Sequence, residues 1–139
     1  MMREIIFRGK KHDGTWAYGS LIKAGTYCCI LEAEENVHPM YYPYLDDDIG
    51  TFDGEATPVN PETVGQYTGI VDKNGTKIFE GDIIDDSCDG ELYLVEFTHG
   101  MFKLSNYHMG YSTPFPPSNY FHHKIAGNIY DNPEMVIEE

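Results

Sequence analysis

Residues 68–84 read TGIVDKNGTKIFEGDII and contain the strongest folding signal in the chain. Apolar and β-branched residues are interrupted first by Asp72-Lys73-Asn74-Gly75 and then by Glu80-Gly81-Asp82. Asn and Gly tolerate positive φ angles, and an Asp side chain accepts hydrogen bonds from the backbone of a turn. A phosphate-binding loop would need a helix after the glycines, and no helical pattern follows. The stretch therefore predicts a β-hairpin, with a second turn that leads into another strand.

Short strand-like runs continue on both sides of this hairpin. The predicted strands are 4–11, 15–22, 26–31, 64–71, 76–79, 83–84, 91–97, 101–104 and 124–130. Thr98-His99-Gly100 predicts a further hairpin, whereas Asn106 to Pro117 is rich in Tyr, Pro and Ser and predicts a loop. The chain has 14 Gly and 8 Pro, which favour short strands and turns over helices. We expect a mainly β fold of short antiparallel strands, with a small SH3-like barrel in the C-terminal half.

A long acidic connection separates the two strand-rich parts of the chain. Residues 32–63 contain four Pro and nine carboxylates and show almost no periodicity. Such a connection is functional, disordered or contains an unrecognised element, and it leaves room for one short irregular strand or helical turn. The 139-residue chain is predicted to form an N-terminal β-rich lobe at 1–62, with this loop, and a C-terminal barrel lobe at 63–139.

Four stretches carry a resemblance to known proteins. They are 2–9 (MREIIFRG), 13–22 (DGTWAYGSLI), 64–84 (VGQYTGIVDKNGTKIFEGDII) and 125–136 (IAGNIYDNPEMV). QYTG-x-x-D-x-x-G followed by GNIY-x-NPE resembles the YopX family, whose members are small proteins encoded by bacteriophages and prophages. The resemblance implies a mainly β protein with a barrel-like C-terminal part. It implies no catalytic residue, because none is assigned in the family.

The charge of the chain is strongly negative and unevenly distributed. The net charge is −14, although Arg3, Arg8, Lys10 and Lys11 give the first eleven residues four positive charges against one negative. A negative electrostatic field repels the phosphate backbones of nucleic acids and attracts basic partners. The alternative is that the acidic residues only keep the protein soluble. We therefore expect a protein partner, in the most pointed form a basic host protein. The alternative is a small-barrel nucleic-acid-binding module that uses the basic N-terminal strand.

Two aromatic-rich segments are candidate interaction surfaces. Aromatic side chains on loops anchor many protein interfaces, although the same rings could instead cover the core. The predicted surface consists of Tyr41, Tyr42, Tyr44, Asp46, Asp47, Asp48, Tyr107, Tyr111, Phe115 and Tyr120.

Neither metal binding nor catalysis has a convincing set of residues. Counted from Asp46 or from Asp48, the carboxylates do not match an EF-hand loop, although such a cluster leaves weak calcium binding open. Adjacent His122 and His123 would point to opposite faces of a strand, and neither Cys88 nor another His supplies a zinc-ligand spacing. Cys28 and Cys29 are predicted to be buried in a strand, since no activating His or helix start is visible. We therefore predict a non-enzymatic protein without catalytic, cofactor-binding or metal-binding residues.

The sequence also bears on location and assembly. Residues 1–11 lack the continuous apolar stretch of a secretory signal, and no window approaches the ~20 apolar residues of a membrane helix. With an odd number of cysteines, a reduced cytoplasmic location in a bacterial host is the simplest expectation. Exposed strand edges leave self-association open.

Overall fold

The computed structural model of the protein describes residues 4–32, 55–86, 90–115 and 123–136. These residues are mostly strands, which confirms the mainly β prediction. A 3-10 helix, Pro133–Met135, follows the last strand. Within these ranges no helix has the length and apolar character that crossing a lipid bilayer demands. The strands are β1 (Phe7–Lys10), β2 (Trp16–Ala24), β3 (Tyr27–Glu32), β4 (Glu55–Pro58), β5 (Asn60–Val71), β6 (Lys77–Phe79), β7 (Asp82–Asp85), β8 (Leu92–Thr98), β9 (Met101–Asn106), β10 (Tyr111–Pro114) and β11 (Lys124–Asn128).

Two compact units can be distinguished. The N-terminal unit is Ile5–Val64, and the C-terminal unit consists of Glu4 and the described residues from Gly65 onward. β5 continues without interruption across the boundary between them. The division into an N-terminal β-rich lobe at 1–62 and a C-terminal barrel lobe at 63–139 stays a prediction.

Antiparallel pairing builds the sheet of the N-terminal unit. Its strand order is β4-β3-β2-β1, with β5 beside β1. The Lys10 N–H donates to Thr63 Oγ1 at 2.8 Å and ties these last two strands together. Cys28 and Cys29 on β3 are free and buried, as predicted, because both faces of this strand are covered. The sequence leaves room for one short strand in the acidic connection. In the structure, β4 and the start of β5 form the last part of this connection.

The hairpin predicted from residues 68–84 is present. β5 pairs antiparallel with β6, with Val71 opposite Lys77. At the turn, the Asp72 N–H donates to the Thr76 carbonyl at 2.8 Å, and the Gly75 N–H donates to the Asp72 carbonyl at 3.0 Å. Gly75 has a φ of 82°, a conformation that favours glycine.

Asp72 fixes this hairpin through its buried carboxylate. It is 6% exposed, and its Oδ1 accepts from the N–H groups of Asn74 and Thr76, both at 2.9 Å. Its Oδ2 accepts from the Ile125 N–H at 3.1 Å, so the same side chain joins the turn to β11. One carboxylate thus holds together segments that are more than fifty residues apart in sequence.

The second predicted turn, at Glu80-Gly81-Asp82, connects β6 to β7. The Phe79 N–H donates to Oδ2 of Asp82 at 2.7 Å, and Asp82 is 2% exposed. Gly81 has a φ of 94°, which an L side chain rarely adopts. The turn is therefore closed by a buried carboxylate in the same way as the first.

A five-stranded antiparallel sheet, ordered β10-β9-β8-β7-β11, forms most of the C-terminal unit. Successive residues on a strand point to opposite faces, so Leu94 and Val95 on β8 belong to different clusters. The first cluster contains Ile78, Ile84, Tyr93, Val95 and Leu104. The second contains Ile83, Leu94 and Val136, and the C-terminal segment packs against it through Ile129 and Met135. Both faces of the central strands are consequently covered.

The structure corrects the prediction that Asn106 to Pro117 is a loop. β9 extends to Asn106, and β10 returns beside it with Tyr111 opposite Asn106. Asn106 also closes the intervening turn, because its Oδ1 accepts from the Met109 N–H at 2.8 Å. The propensities of this segment suggest a loop, and pairing with β9 overrides them.

Of the predicted C-terminal barrel, the structure supports the antiparallel sheet but not its closure. β10 and β11 are the two ends of the five-stranded sheet, and no pairing joins them in the described part of the chain. The antiparallel architecture is therefore observed, whereas a closed SH3-like barrel stays a prediction.

Candidate functional site

The predicted interaction surface falls only partly within the described residues. Tyr107, Tyr111 and Phe115 are described. The other members lie outside the described ranges: Tyr41, Tyr42, Tyr44, Asp46, Asp47, Asp48 and Tyr120. The second aromatic segment can therefore be followed residue by residue, and the first cannot.

Phe115 packs against the first core cluster of the C-terminal unit. It is partly buried there, beside residues such as Ile78 and Leu104. Phe115 thus fits the alternative in which aromatic rings of this segment cover the core.

Tyr111 lies on the surface next to the same cluster. It is 47% exposed, and its hydroxyl lies 2.8 Å from the hydroxyl of Tyr93. The two rings are in a T-shaped arrangement with centroids 6.3 Å apart. Tyr111 therefore lies at the surface on the same face of the sheet on which Tyr93 is buried.

Tyr107 reaches the other face of the sheet. It is 55% exposed, and its hydroxyl donates to Oε1 of Glu96 at 2.8 Å. Glu96 and Tyr93 are three residues apart on β8, so their side chains point to opposite faces. The structure therefore does not bring Tyr107 and Tyr111 together. Burial raises the pKa of the Tyr107 phenol, and the hydrogen bond and charge of Glu96 raise it further.

A cleft that the sequence did not indicate lies on β8, near the position that Tyr107 contacts. Its volume is about 160 Å³. Two acidic residues, two aromatic residues, three aliphatic residues and a glycine line it. The lining residues are Glu80, Gly81, Leu94, Val95, Glu96, Phe97, Ile129 and Tyr130. We refer to this site as the β8 cleft.

Three chain segments frame the β8 cleft, and backbone hydrogen bonds join them. The Gly81 N–H donates to the Val95 carbonyl at 2.8 Å. The Gly81 carbonyl accepts from the Ile129 N–H, also at 2.8 Å. The Glu80 N–H donates to the Gln66 carbonyl at 2.9 Å, which anchors the turn on β5. The cleft therefore rests on paired backbone rather than on a free loop.

Glu80 is the group in the cleft whose ionisation is most affected by its surroundings. Burial raises the pKa of its carboxyl above the usual value, and the charge of Glu96 raises it further. A backbone hydrogen bond with Gln66 opposes these effects. Burial and the neighbouring charge of Glu96 therefore both favour the protonated form of Glu80.

A second cavity, of about 270 Å³, is lined in part by Tyr107. Oε2 of Glu91, one of its lining residues, accepts from Asn106 Nδ2 at 3.1 Å. Its lining residues are Gly90, Glu91, Leu92, Tyr107, His108, Met135 and Val136. We assign this cavity no role.

The residues considered for metal binding and catalysis are described only in part. Asp46–Asp48, Cys88 and His122 lie outside the described ranges. His123 Nδ1 lies 3.9 Å from Oδ1 of Asp86. Among the described residues, no group of three or more His, Cys, Asp or Glu side chains could hold a metal ion.

Comparison with known proteins gives a family. The sequence pattern of the family described as YopX protein matches residues 7–136, which is nearly the whole chain. The chain belongs to the YopX family. No curated protein matches it.

The stretches that first suggested YopX membership have structural tasks in this YopX-family protein. Asp72 and Asp82 close the two turns of 64–84. In the stretch GNIYDNPE, Asn128 Oδ1 accepts from the N–H groups of Tyr130 and Asp131 at 3.0 and 2.9 Å. These turns position Glu80 and Tyr130 at the β8 cleft, so the YopX-like stretches contribute to its wall. That is the sequence signal that could have indicated the cleft.

Proposed function

We propose that this protein is a phage or prophage accessory protein that acts through protein contacts and binds a basic partner. The observation that carries the proposal is the half-exposed ring of Tyr107 on the C-terminal unit, whose hydroxyl donates to the carboxylate of Glu96. Family membership and the resemblance of its stretches to phage-encoded proteins support the origin. We further propose a non-enzymatic role, in the cytoplasm of the host, on a C-terminal fold related to small SH3-like barrels.

Charge favours a basic partner for this surface. From residue 80 to residue 136 the sequence has nine acidic residues and two basic ones, Lys103 and Lys124. Lys124 Nζ lies 3.9 Å from Oδ2 of Asp85, so part of this small basic content is already paired within the chain. Complementary charge accelerates association and suppresses wrong partners, and its contribution weakens as salt increases.

Exposed apolar side chains favour a protein rather than a small ion as the partner. Phe97 and Met101 are 48% and 40% exposed at the end of the β8–β9 hairpin. Tyr107 and Met109 are 55% and 62% exposed at the opposite end of β9. Aromatic residues and Met are enriched in interface cores, where charged residues such as Lys and Glu are depleted.

The nucleic-acid alternative has weaker support. Arg8 is 5% exposed, and its guanidinium lies 4.4 Å from the centroid of the Trp16 ring. Lys10 Nζ lies 5.5 Å from the same centroid. A buried guanidinium is poorly available to phosphates. The basic N-terminal strand therefore offers less positive charge for nucleic-acid binding than its sequence suggests.

The proposal can be tested by capturing partners from host lysate with the purified protein at increasing salt. We expect a basic protein that is retained at low salt and released as ionic strength rises. Tyr107→Ala combined with Met109→Ala should reduce capture, whereas Tyr18→Ala, at an exposed ring of the N-terminal unit, should not.

Two results would contradict the proposal. The first is the absence of any basic partner at low ionic strength. The second is a salt-sensitive gel shift with single- or double-stranded nucleic acid at comparable protein concentration, which would favour the alternative.

A further inference from the structure

We propose that Asn74 is a site of spontaneous deamidation, and that Asp72 protects it for as long as the turn of the β5–β6 hairpin stays closed. This inference goes beyond the function proposed above and does not depend on it. Asn74 is followed by Gly75, and this is the single Asn-Gly dipeptide in the chain. Asn74 is exposed, so water reaches its side-chain amide.

The reaction needs only the chain itself and water. The Gly75 nitrogen attacks Cγ of Asn74, and the new N–Cγ bond closes a succinimide ring. The Cγ–Nδ2 bond breaks, and Nδ2 leaves as ammonia together with the proton that the Gly75 nitrogen has lost. Water then opens the ring at one of its two carbonyl carbons, which gives either aspartate or isoaspartate at this position.

The residue that follows an asparagine sets how readily this reaction occurs. Asparagine is among the thermolabile residues, and glycine has no side chain that hinders the approach of its nitrogen to the amide carbon. The other six asparagines of the chain are followed by Val, Ile, Tyr or Pro. Bulky side chains restrict the approach, and the nitrogen of Pro has no proton to lose. The chemistry therefore favours Asn74 over every other asparagine.

The closed turn keeps the attacking nitrogen engaged in a hydrogen bond. The Gly75 N–H donates to the Asp72 carbonyl at 3.0 Å, and this proton must be lost before the nitrogen can attack. On either side of Gly75, the N–H groups of Asn74 and Thr76 both donate to Oδ1 of Asp72 at 2.9 Å. Asp72 thus fixes three consecutive backbone N–H groups, and the reaction requires the turn to open first.

The rate of deamidation at Asn74 is consequently set by how often the turn opens. Hairpins form within about 1–10 μs, which is far faster than the loss of an amide group. The observed rate is therefore the rate in the open turn multiplied by the fraction of molecules in which the turn is open, as for proteolysis of a transiently opened segment. Each of the two bonds to the Oδ1 carboxylate oxygen lowers this open fraction about tenfold.

Isoaspartate at this position would release the hairpin permanently. Its main chain runs through the former side-chain carbon, so one extra carbon atom lies between residues 74 and 75. The N–H groups of residues 74 and 76 then no longer match the single oxygen of Asp72 to which both donate. Oδ2 of Asp72 accepts from the Ile125 N–H at 3.1 Å, so the contact between the turn and β11 is weakened as well. The modification thus acts as a one-way conformational switch.

The test is incubation of the full-length protein in buffer and in denaturing guanidinium chloride, with deamidation followed by mass spectrometry. Trypsin cleaves after Lys73 and Lys77 and releases residues 74–77 as one peptide, whose aspartate and isoaspartate forms are separated by chromatography. Digestion in heavy-oxygen water marks any conversion that occurs during the digestion itself. We expect the parent protein to react at least about a hundredfold more slowly in buffer than in denaturant.

Asp72→Ala should accelerate the reaction in buffer about a hundredfold, because both bonds to Oδ1 are lost. Asp82→Ala is the matched control, since Asp82 is also buried and closes the neighbouring turn through the Phe79 N–H. It should leave the rate near that of the parent. Circular dichroism verifies that both variants are folded, and if either is not, the parent in buffer and in denaturant decides. Equal rates of the parent in the two solutions, or equal acceleration by the two folded variants, would overturn the inference.

The structural consequence of the modification has a measurement of its own. The isoaspartate form of the aged protein is separated by chromatography, and its unfolding in guanidinium chloride is followed by circular dichroism. Asn74→Asp is the matched control, because it has the new charge without the extra main-chain carbon. We expect a lower unfolding midpoint for the isoaspartate form than for Asn74→Asp. Equal midpoints would show that the turn tolerates the extra carbon and would overturn the switch.

Discussion

Single carboxylates carry much of the tertiary information in this chain. Asp72 accepts hydrogen bonds from three backbone N–H groups in two segments, and Asp82 accepts one from Phe79. Both side chains are at least nine-tenths buried. In a strongly acidic protein, these two acidic residues therefore act as folding elements rather than as surface charge.

Replacing Asp72 with Ala should destabilise the protein by about 3 kcal/mol, because three hydrogen bonds to a charged acceptor are lost and partly buried N–H groups are left unsatisfied. The measurement is urea unfolding followed by circular dichroism. Asp13→Ala is the matched control, since Oδ1 of Asp13 accepts from the Thr15 N–H at 2.9 Å in an exposed turn. It should shift the midpoint far less, and equal shifts would contradict the assignment.

Glu80 predicts a defined pH dependence. Its pKa in the folded state is raised by burial and then by Glu96, above the usual value of 4.5. The folded state therefore holds this proton more tightly than the unfolded state. The stabilisation that this proton provides is complete below the usual pKa of Glu, and it is lost as the pH rises through the pKa of Glu80 in the folded state.

Glu80→Gln should consequently be more stable than the parent at neutral pH. The difference should shrink to nothing as pH falls below the usual value for Glu. Urea midpoints measured from about pH 4 to about pH 8 provide the test, with Glu134→Gln as the exposed control. A difference that grows on acidification would have the wrong sign.

At the scale of elements, turn chemistry decides where strands pair. β8 and β9 pair from Leu94 opposite Ser105 to Thr98 opposite Met101, which leaves His99-Gly100 as a two-residue loop. His99 and Gly100 have φ angles of 53° and 78°. Two positive φ angles define the type I′ turn, whose preferred sequence is Asn-Gly.

His99→Asn should therefore stabilise the β8–β9 hairpin, by a few tenths to about 1 kcal/mol. Gly100→Ala should destabilise it by about 1–2 kcal/mol, since an L side chain is strained in the left-handed region. Thermal and urea unfolding of both variants provide the measurement. Opposite signs are required, and a destabilising His99→Asn would show that the imidazole has a contact that compensates its backbone conformation.

The sequence predicted those elements whose turns have a local signal. Asp72-Lys73-Asn74-Gly75 and His99-Gly100 both punctuate apolar runs, and both hairpins form. β10 was missed because its four residues, Tyr-Ser-Thr-Pro, are too few to show a strand pattern and end in Pro, although Tyr and Thr favour strands. Its position depends on the edge that β9 offers, and that edge is not visible in the segment itself.

At the scale of the molecule, the chain consists of two compact units that share one strand. β5 extends from Asn60 to Val71, and the boundary between the units falls at residues 64 and 65. Near the boundary, the backbone of β5 cannot unfold in one unit while it remains paired in the other. We therefore expect the unfolding of the two units to be coupled.

Trp16 offers a test of this coupling, as it is the single Trp and lies in the N-terminal unit. Asp72→Ala, in the C-terminal unit, should lower the urea midpoint seen by Trp16 fluorescence as much as the midpoint seen by circular dichroism. An unchanged fluorescence midpoint together with two resolved steps would instead support lobes that fold separately.

Local patterns were sufficient for the mainly β class, the hairpins and the buried thiols, because turn preferences and strand alternation act between near neighbours. The YopX family was indicated by the resemblance of four stretches to known proteins. The β8 cleft needed the tertiary structure, because Glu80, Glu96 and Tyr130 come from three separate segments. Their convergence results from long-range pairing, such as the bond between Ile129 and Gly81. Which rings reach solvent and which cover the core was decided in the same way, since burial depends on what packs against a residue and not on its neighbours in sequence.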